Sequence, residues 1–377
     1  MSKVNVLFSG VSSNIGGVET FLLEYIRHMD LNQIHFDLIC STETPAWEEE
    51  FRSLGVNIYK VPPRSKDPLG FEKETNAFFS QNAQNYDIFW CNKCMLTNID
   101  FLKYAKKYQI PVRIIHSHSS AIMAAGIKKV MMRCMHEWNK CWLAHFATDF
   151  WACSDFAGRW FYRKKQMEGA HYRFVPNAID VEKFRFSEDV RQAYRAELGL
   201  NGKFVMGHVG YFHTVKNHMF LLDIFHALLK KRPESVLLLI GQGNLKEAVQ
   251  EKAVQLGIAD KVQFLGVRKD VSNLMQAMDC FMLPSLFEGF PVVAVEAQSA
   301  GLPCYLAGNG ITRQAIITDR CHFLRLEDTP EVWADAIIQG DVKRVDTYDQ
   351  IVQAGFELKN AAKQQQTRLI QLGQKKA

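Results

Sequence analysis

Short apolar runs alternate with helix-length segments along most of the chain. In the first half, runs of apolar and aromatic residues predict strands at residues 4–8, 36–40, 56–61, 87–92, 112–118 and 150–154. Strands this apolar, separated by helices, are typical of a parallel sheet that is covered on both faces. The first half therefore predicts a doubly wound α/β domain.

The same alternation returns after a charged, irregular stretch at residues 180–203, which we interpret as a linker. Further strands are predicted at 204–210, 235–243, 262–266, 280–285 and 302–307. We expect one Rossmann-like domain over residues 1–183, a second over 184–350, and a terminal helical segment at 351–377 packed on the surface. Such domains bind ligands at the carboxyl ends of their strands, so a ligand cleft between two facing domains is predicted.

Composition and charge exclude several classes of protein. With 47% hydrophobic and 23% charged residues, the 377-residue chain is ordinary for a soluble protein of two domains. Its net charge of +5 is too small to indicate a nucleic-acid partner. No apolar run reaches the roughly 18 residues that span a bilayer, and the N-terminus turns to Gly and Ser too soon for a secretory signal. We therefore expect a cytoplasmic location.

Cysteine usage gives little sign of metal or disulfide chemistry. The nine cysteines are an odd number scattered through apolar segments, which predicts reduced, buried thiols. Cys91 and Cys94 form one CxxC pair, but no second pair or histidine follows at the spacing of zinc ligands. We expect no metal site and no cofactor.

Two stretches of the first half contain candidate ligand-binding residues. Gly16 and Gly17 precede a predicted helix, where free backbone N–H groups can approach an anion such as phosphate, although a simple tight turn is the alternative. The spacing is neither GxGxxG nor a P-loop. His116 and His118 end a predicted strand on the same side, as candidates for substrate contact, for a structural role or for metal binding, although no third ligand follows at a suitable spacing.

In the second half, Lys216 follows a predicted strand and precedes a helix, a position from which its charge can neutralise a diphosphate. A surface lysine is the alternative reading. Gly241 and Gly243 form another turn after a strand, where a ligand or the backbone comes close.

The stretch "EGFPVVAVE" at residues 288–296 is the strongest signal. Pro291 is expected as the first helical residue, with the amides of Gly289 and Phe290 at the helix start. Glu296 lies inside a helix of small apolar residues, where a buried carboxylate needs a hydrogen-bond donor such as a sugar hydroxyl. An exposed window of that helix is the alternative.

The region 126–165 interleaves Lys and Arg with Trp, Phe, Tyr and Met. This mixture suits a peripheral contact with an anionic membrane surface. The alternative is an ordinary amphipathic helix, because Ile127, Val130, Met131, Cys134, Trp138, Cys141 and Trp142 follow the stripe expected of a helix packed on a core.

Six motifs, in the expected order, resemble the glycosyltransferase family 4 group of retaining GT-B enzymes. They are "GGVE", "VPNAID", "VGYFHTVKN", "IGQGNL", "VQFLG" and "EGFPVVAVE". The similarity runs from about residue 4 to 365. With "HSHSS" and "EGFPVVAVEAQSAGLP", the chain resembles in particular the bacterial enzymes of capsular or exopolysaccharide assembly. It implies transfer of a hexose or HexNAc, without a metal, from a nucleotide sugar, UDP ahead of GDP, to a glycan or polyprenyl-linked acceptor.

The resemblance also implies roles for residues of the second domain. Glu296 would accept hydrogen bonds from the ribose hydroxyls, and Glu288 with the amides of Gly289 and Phe290 would hold hydroxyls of the donor sugar. Lys216 would neutralise the leaving diphosphate.

Other matching positions complete the implied donor site. Gly16 and Gly17 would close over the phosphates, and His118 would contact the donor sugar. Gly241 and Gly243 would permit close approach of the nucleotide, and the backbone at Val267 and Arg268 would edge the base. Lys216, Glu288 and His118 are the implied catalytic residues.

One position departs from the family pattern. The family has an arginine after the glycine of "VGR", whereas this chain has Tyr211. Losing one cation at a leaving diphosphate costs about 3 kcal/mol if it acts like one oxyanion-hole donor. Either Arg268 or Arg313 substitutes, or the chain is a donor-binding, catalytically weak partner subunit. A nucleotide-sugar 2-epimerase fits the Glu pair and the Lys-Asn spacing less well.

Overall fold

The chain forms two parallel sheets, each in its own unit. The computed structural model describes residues 3–122 and 126–374. The first unit runs to Ala178 and includes the chain from Leu358 onward, and the second is Ile179–Glu357. The expected domains were 1–183 and 184–350, so each boundary in the structure lies a few residues away. The expected terminal segment 351–377 is divided between the two units.

The first unit contains a seven-stranded parallel sheet in the order β3-β2-β1-β4-β5-β6-β7. Its strands are β1 (Val4–Ser9), β2 (Ile34–Cys40), β3 (Asn57–Lys60), β4 (Ile88–Lys93), β5 (Val112–Ser117), β6 (Asp149–Ala152) and β7 (Tyr172–Phe174). Its helices are α1 (Gly17–Arg27), α2 (Glu48–Ser53), α3 (Pro68–Asn82), α4 (Asp100–Lys107), α5 (Gly126–Phe146), α6 (Asp155–Phe161) and α7 (Lys164–Met167), with α16 (Leu358–Gln374). The sequence predicted the first six strands and missed β7, which is short and mostly exposed.

The second unit contains a six-stranded parallel sheet in the order β10-β9-β8-β11-β12-β13. Its strands are β8 (Phe204–Val209), β9 (Ser235–Ile240), β10 (Val262–Gly266), β11 (Cys280–Leu283), β12 (Cys304–Ala307) and β13 (Cys321–Leu324). Its helices are α8 (Val181–Phe184), α9 (Glu188–Glu197), α10 (His218–Lys231), α11 (Lys246–Gln255), α12 (Val271–Ala277), α13 (Val292–Ser299), α14 (Pro330–Gln339) and α15 (Tyr348–Gln353). The partly exposed edge strand β13 was not predicted.

The stretch interpreted as a linker is part of the second unit, so that prediction was wrong. Its charged residues fold as α8 and α9, and α9 packs against α12. Arg191 Nη2 donates to Asp279 Oδ1 at 2.5 Å, and Arg195 Nη1 donates to Asp279 Oδ2 at 3.3 Å. Because Asp279 also accepts from the Val205 amide at 2.7 Å, these charges anchor α9 to the sheet.

The last helix, α16, was expected on the surface and instead contributes to the core of the first unit. It packs against α1, β1 and β4. Its buried side chains include Leu358, Ala362 and Leu369. Burying these apolar groups stabilises the first unit through a segment that is remote from it in sequence.

The cysteines are free thiols, as expected, but their burial differs from the expectation. Cys40, Cys91, Cys153, Cys280 and Cys304 are buried, whereas Cys94, Cys134 and Cys141 are exposed. Two of the exposed thiols lie on α5, which has an unusually open outer face.

Each sheet has one point at which the strand order reverses. It lies between β1 and β4 in the first unit and between β8 and β11 in the second. The connections that leave such a pair diverge to opposite faces and leave a crevice at the carboxyl ends of the two strands. The predicted ligand-binding residues follow these four strands or their immediate neighbours.

Candidate active site

Lys216 and Glu288 meet at the reversal point of the second sheet. Lys216 lies in a 3₁₀ turn after β8, and Glu288 lies in the loop after β11. Lys216 Nζ donates to Glu288 Oε1 at 2.7 Å, and their side chains are only 18% and 13% exposed. The Leu286 amide also donates to the Val215 carbonyl at 2.8 Å, so the two loops are joined by backbone as well as by charge.

Gly241 and Gly243 lie directly behind the loop that contains Lys216. A Cβ on Gly241 would lie 2.1 Å from the carbonyl oxygen of Gly210, and one on Gly243 would lie 2.4 Å from that of Phe212. Both glycines have positive φ, 139° and 155°. Close approach of the protein's own backbone thus requires these glycines, and the predicted contact with a nucleotide stays a prediction.

Two buried histidines, His208 and His218, lie near Lys216, and neither was a predicted site residue. A Cβ on Gly210 would be 3.1 Å from both His208 Nε2 and Lys216 Cε, so the ring and the lysine stem both border this glycine. Burial lowers the pKa of His208 well below its usual value and that of His218 to about 4. Both rings are neutral near pH 7, so Lys216 supplies the positive charge here.

Glu296 lies in the fifth position of α13, close to two cations. Desolvation by burial raises the pKa of Glu296 to about 7, and the charges of Lys183 and Lys216 oppose this rise. Its carboxyl group forms no hydrogen bond with the part of the chain that the structure describes. A half-buried carboxyl of this kind can accept from a ligand's hydroxyls.

The segment before α13 differs slightly from the prediction. Pro291 is the N-cap, and the helix begins at Val292. Phe290 is buried and stacks on Phe356 with ring centroids 5.4 Å apart, while the Glu288 amide donates to the Gly310 carbonyl at 2.8 Å. These contacts hold the predicted sugar-binding segment, including Gly289, in a fixed loop.

Tyr211 is 54% exposed beside this site, and Val267 is also exposed. Arg268 donates to both carboxyl oxygens of Asp270, at 2.8 and 2.6 Å, and this pairing raises the pKa of its guanidinium further. Arg313 lies over the Phe323 ring, 5.0 Å from its centroid. Both proposed substitutes for the missing arginine are therefore engaged elsewhere in this structure.

In the first unit, Glu19 organises the glycine loop after β1. Glu19 is buried, and its Oε1 accepts from the Ser12 amide at 3.0 Å and from Ser12 Oγ at 2.7 Å. A Cβ on Gly16 would approach Glu19 Oε2 to 2.9 Å, whereas one on Gly17 would meet nothing within 4 Å. Gly16 thus makes room for Glu19, and Gly17 leaves the start of α1 open on that side. The "GGVE" motif contained Glu19, but the sequence alone gave it no function.

His118 is joined to the reversal point of the first sheet by Asn92. His118 Nε2 lies 2.9 Å from Asn92 Oδ1, and Asn92 Nδ2 donates to the Ser9 carbonyl at 3.1 Å. Burial lowers the pKa of His118 to about 3, so the ring is neutral. Because an amide oxygen accepts, Nε2 carries the proton, and Nδ1 is an acceptor with no partner among residues 3–122 and 126–374.

His116 lies beside His118, with ring centroids 4.0 Å apart, but is fully buried. Trp90 stacks on its ring at 6.1 Å, and Trp151 meets it edge-on at 6.0 Å. Full burial among aromatic rings fits a structural role for His116, and neither ring nitrogen has a hydrogen-bond partner among the described residues. Within the described part of the chain, no group of three or more His, Cys, Asp or Glu side chains could hold a metal ion.

Both units match family models of known proteins. Residues 15–183 match the model described as glycosyltransferase family 4, and residues 190–354 match glycosyl transferases group 1. The protein EpsF of Bacillus subtilis (strain 168), named as a glycosyltransferase, is 31% identical over 363 residues, which cover 94% of each chain. The chain belongs to glycosyltransferase family 4.

This family 4 glycosyltransferase is also similar to a characterised enzyme and to solved structures. The Escherichia coli UDP-Gal:α-D-GlcNAc-diphosphoundecaprenol α-1,3-galactosyltransferase is 23% identical over 314 residues, covering 81% of this chain and 80% of that one. A structure of Anabaena HepE with UDP and glucose superposes with a TM-score of 0.72 at 17% identity, over 99% of this chain and 98% of that one. A Rickettsia africae glycosyltransferase structure gives 0.76 at 14% identity, with full coverage of both chains. The fold class is GT-B, as predicted.

The outer face of α5 carries the apolar stripe for which the sequence offered two interpretations, a membrane contact or packing on the core. The residues that follow the apolar stripe are exposed, with Ile127 at 89% and Trp138 at 67%, and the helix buries only His136 and Leu143. The stripe therefore faces solvent, and its interpretation as part of the core was wrong. Among the described residues, no helix is both long and apolar enough to cross a bilayer.

Proposed function

We propose that this family 4 glycosyltransferase transfers a hexose or HexNAc from a nucleotide sugar, with UDP preferred over GDP, to a glycan or polyprenyl-linked acceptor in surface polysaccharide synthesis. Transfer retains the anomeric configuration and requires neither metal nor cofactor. The observation that carries the proposal is the Lys216–Glu288 ion pair at the reversal point of a parallel sheet.

The pair supplies both functions that a donor site needs. When a donor binds, Lys216 moves its hydrogen bond from Glu288 to the diphosphate, and Glu288 accepts from hydroxyls of the sugar instead. As the bond between the anomeric carbon and the phosphate oxygen breaks, Lys216 stabilises the charge that develops on the leaving UDP. The acceptor hydroxyl bonds to the same face of the anomeric carbon and gives its proton to a phosphate oxygen.

Glu296 and His118 complete the proposed donor contacts. The carboxylate of Glu296 accepts from the ribose hydroxyls, which compensates for its burial. The neutral His118 ring, held by Asn92, presents Nδ1 as an acceptor for a hydroxyl of the donor sugar. The preference for UDP is supported by the UDP bound to HepE and by the UDP-Gal in the name of the E. coli relative.

A membrane-associated cytoplasmic location belongs to the same proposal. The exposed apolar stripe of α5 lies on the same helix as exposed Lys128, Lys129 and Arg133. An amphipathic helix with aromatic and basic residues binds an anionic lipid surface with its apolar side inserted at the interface. The polyprenyl-linked acceptor would be encountered there.

Thermal denaturation with a panel of UDP-, GDP- and ADP-sugars tests the donor assignment, since a ligand that binds only the folded protein raises its midpoint. UDP-sugars should raise the midpoint most, and UDP release with a lipid-linked acceptor should follow. A larger shift with GDP- or ADP-sugars would overturn the preference for UDP.

A second function, that of a donor-binding but catalytically weak partner subunit, is favoured by one observation. Tyr211 replaces the expected arginine, and Arg268 is held by Asp270. Such a subunit would bind UDP-sugar with no more turnover than a Lys216→Ala, Glu288→Ala double variant.

A further inference from the structure

A pocket of about 460 Å³ opens on the first unit, between α5 and the loop that leads into α4. It is lined by residues 97–99 of that loop, by Asp100 and Lys103 of α4, by Arg64, and by Trp138 and Asn139 of α5. None of these residues has a role in the donor site described above. A pocket that combines two cations with an aromatic side chain suits an amphipathic anion.

The pocket lies at the carboxyl end of β4, one of the two strands at the reversal point of the first sheet. Two hydrogen bonds fix the loop to α5: the Leu96 amide donates to His136 Nδ1 at 3.1 Å, and Asn139 Nδ2 donates to the Leu96 carbonyl at 2.6 Å. The His118 amide donates to the carbonyl of Lys93, the last residue of β4, at 3.0 Å. The pocket thus shares one edge of the sheet with His118.

The charges in the pocket favour an anionic ligand. Arg64 and Lys103 both pair with Asp100, so two cations share a single carboxylate. Their side chains are 56% and 45% exposed, whereas that of Asp100 is 15% exposed. Exposed ion pairs of this kind are weak, and a phosphate can replace the carboxylate with charge-assisted hydrogen bonds.

The apolar side of the pocket continues onto the exposed stripe of α5. Trp138 and Cys134 line the pocket and also belong to the stripe, which extends to Ile127 and Trp142. A ligand whose phosphates reach Arg64 and Lys103 can therefore keep an apolar chain against the same face that we propose to contact the membrane.

We propose that this pocket binds the diphosphate of a polyprenyl-diphosphate-linked acceptor, with Arg64 and Lys103 on the phosphates and Trp138 against the first isoprene units. This inference rests on the proposed function and names its acceptor subsite. The diphosphate anchors the lipid, and its glycan extends along the carboxyl edge of the sheet toward His118.

Binding of farnesyl diphosphate to the full chain, measured by calorimetry, tests the pocket directly. An Arg64→Gln, Lys103→Gln double variant should bind at least tenfold more weakly. Asp100→Asn should bind more tightly, because it releases both cations, whereas a merely structural role predicts no gain. A Lys73→Gln, Lys165→Gln variant removes the same charge from exposed positions of the first unit and should bind like the wild type. Equal affinity of the wild type and the Arg64, Lys103 variant would overturn the proposal.

Two further ligands distinguish a specific acceptor site from general attraction of anions. Inorganic diphosphate should bind more weakly than farnesyl diphosphate, because it lacks the isoprene contact with Trp138. Vesicles of phosphatidylglycerol should bind the Arg64, Lys103 variant nearly as well as the wild type. If the double variant lost vesicle binding and farnesyl diphosphate binding to the same degree, a phospholipid headgroup site would replace the proposal.

Donor binding separates failure of this inference from failure of the proposed function. Stabilisation by UDP-sugar depends on the second unit and should be unchanged in the Arg64, Lys103 variant. Loss of farnesyl diphosphate binding with UDP-sugar binding intact would confirm the pocket. If the wild-type protein bound UDP-sugar but not farnesyl diphosphate, only the proposed pocket would be overturned. If it bound farnesyl diphosphate but no UDP-sugar, only the proposed function would be overturned.

Discussion

Lys216 and Glu288 are 72 residues apart in the chain, yet Lys216 Nζ donates to Glu288 Oε1 at 2.7 Å. The contact exists because β8 and β11 are neighbours in the sheet, although two strands and three α-helices separate them in sequence. It holds a cation and a carboxylate ready at the crevice where this fold class binds ligands.

Glu296 should make stability depend on pH. Its pKa is about 7 in the folded protein and 4.5 is the ordinary value, so the folded state keeps a proton that the unfolded chain has released. The free energy of unfolding should therefore fall by up to about 3 kcal/mol as the pH rises from 4.5 to above 7. Glu296→Gln should flatten this dependence and raise the midpoint at pH 8, as measured by thermal denaturation. Glu247→Gln, on the exposed first turn of α11, is the control. If the thermal midpoint of Glu296→Gln varied with pH in the same way as that of the wild type, the raised pKa of Glu296 would be contradicted.

Tyr211→Arg should raise the transfer rate. The substitution adds a cation beside Lys216 at an exposed position, where the longer side chain has room. One such donor at a leaving group contributes about 100- to 1,000-fold in rate. Tyr211→Phe, which removes only the hydroxyl, should change the rate little. If Tyr211→Arg lowered the rate of UDP release with acceptor, the tyrosine would itself have a catalytic role.

His118 should act without titrating between pH 5 and 8. Burial holds the pKa of His118 at about 3, so the ring stays neutral over this whole range, and its proposed contact with the sugar should not change with pH. His118→Gln should lower kcat while leaving the shape of the pH–rate profile unchanged. His171→Gln, an exposed histidine of the same unit, should leave kcat as it is. Disappearance of one limb of the profile in His118→Gln would show that this ring exchanges a proton during the reaction.

The α5 stripe should mediate binding to anionic membranes. A Trp138→Glu, Trp142→Glu variant should no longer float with phosphatidylglycerol liposomes, because it places charge on the face that inserts. Leu69→Glu alters another highly exposed apolar residue of the first unit, on α3, and should float like the wild type. High salt should weaken flotation of the wild type. Failure of the wild type to float at low salt would refute the membrane contact.

The sequence predicted the fold class and most strands because apolar runs and turn residues have clear signatures in parallel sheets. It failed where a pattern has two physical explanations. The spacing of Ile127, Trp138 and Trp142 predicts one apolar helix face, but periodicity does not tell whether that face meets a core or solvent. The charged α9 resembled a linker because its anchor, Asp279, lies far away in sequence.

The candidate active site was likewise predicted only in part. Lys216 and Glu288 could be predicted individually from strand-to-helix junctions, but their hydrogen bond depends on strand order, which the sequence does not display. Gly241 and Gly243 were correctly recognised as points of close approach, although their partner in the structure is the backbone of Gly210 and Phe212. Glu19 lacked a signal, because a glutamate in the first turn of a helix is common at exposed positions.

Transfer by a Lys216→Gln variant tests whether this lysine drives departure of the diphosphate. The measurement is UDP release from UDP-glucose, UDP-galactose and UDP-GlcNAc in the presence of a polyprenyl-diphosphate-linked acceptor, with Lys252→Gln as the control because Lys252 forms a comparable ion pair with Asp223 in the same unit. Lys216→Gln should lower kcat/KM about 10²- to 10³-fold with the donor that the wild type uses, whereas Lys252→Gln should remain near wild type. Equal rates for Lys216→Gln and the wild type, in variants with unchanged thermal midpoints, would contradict it.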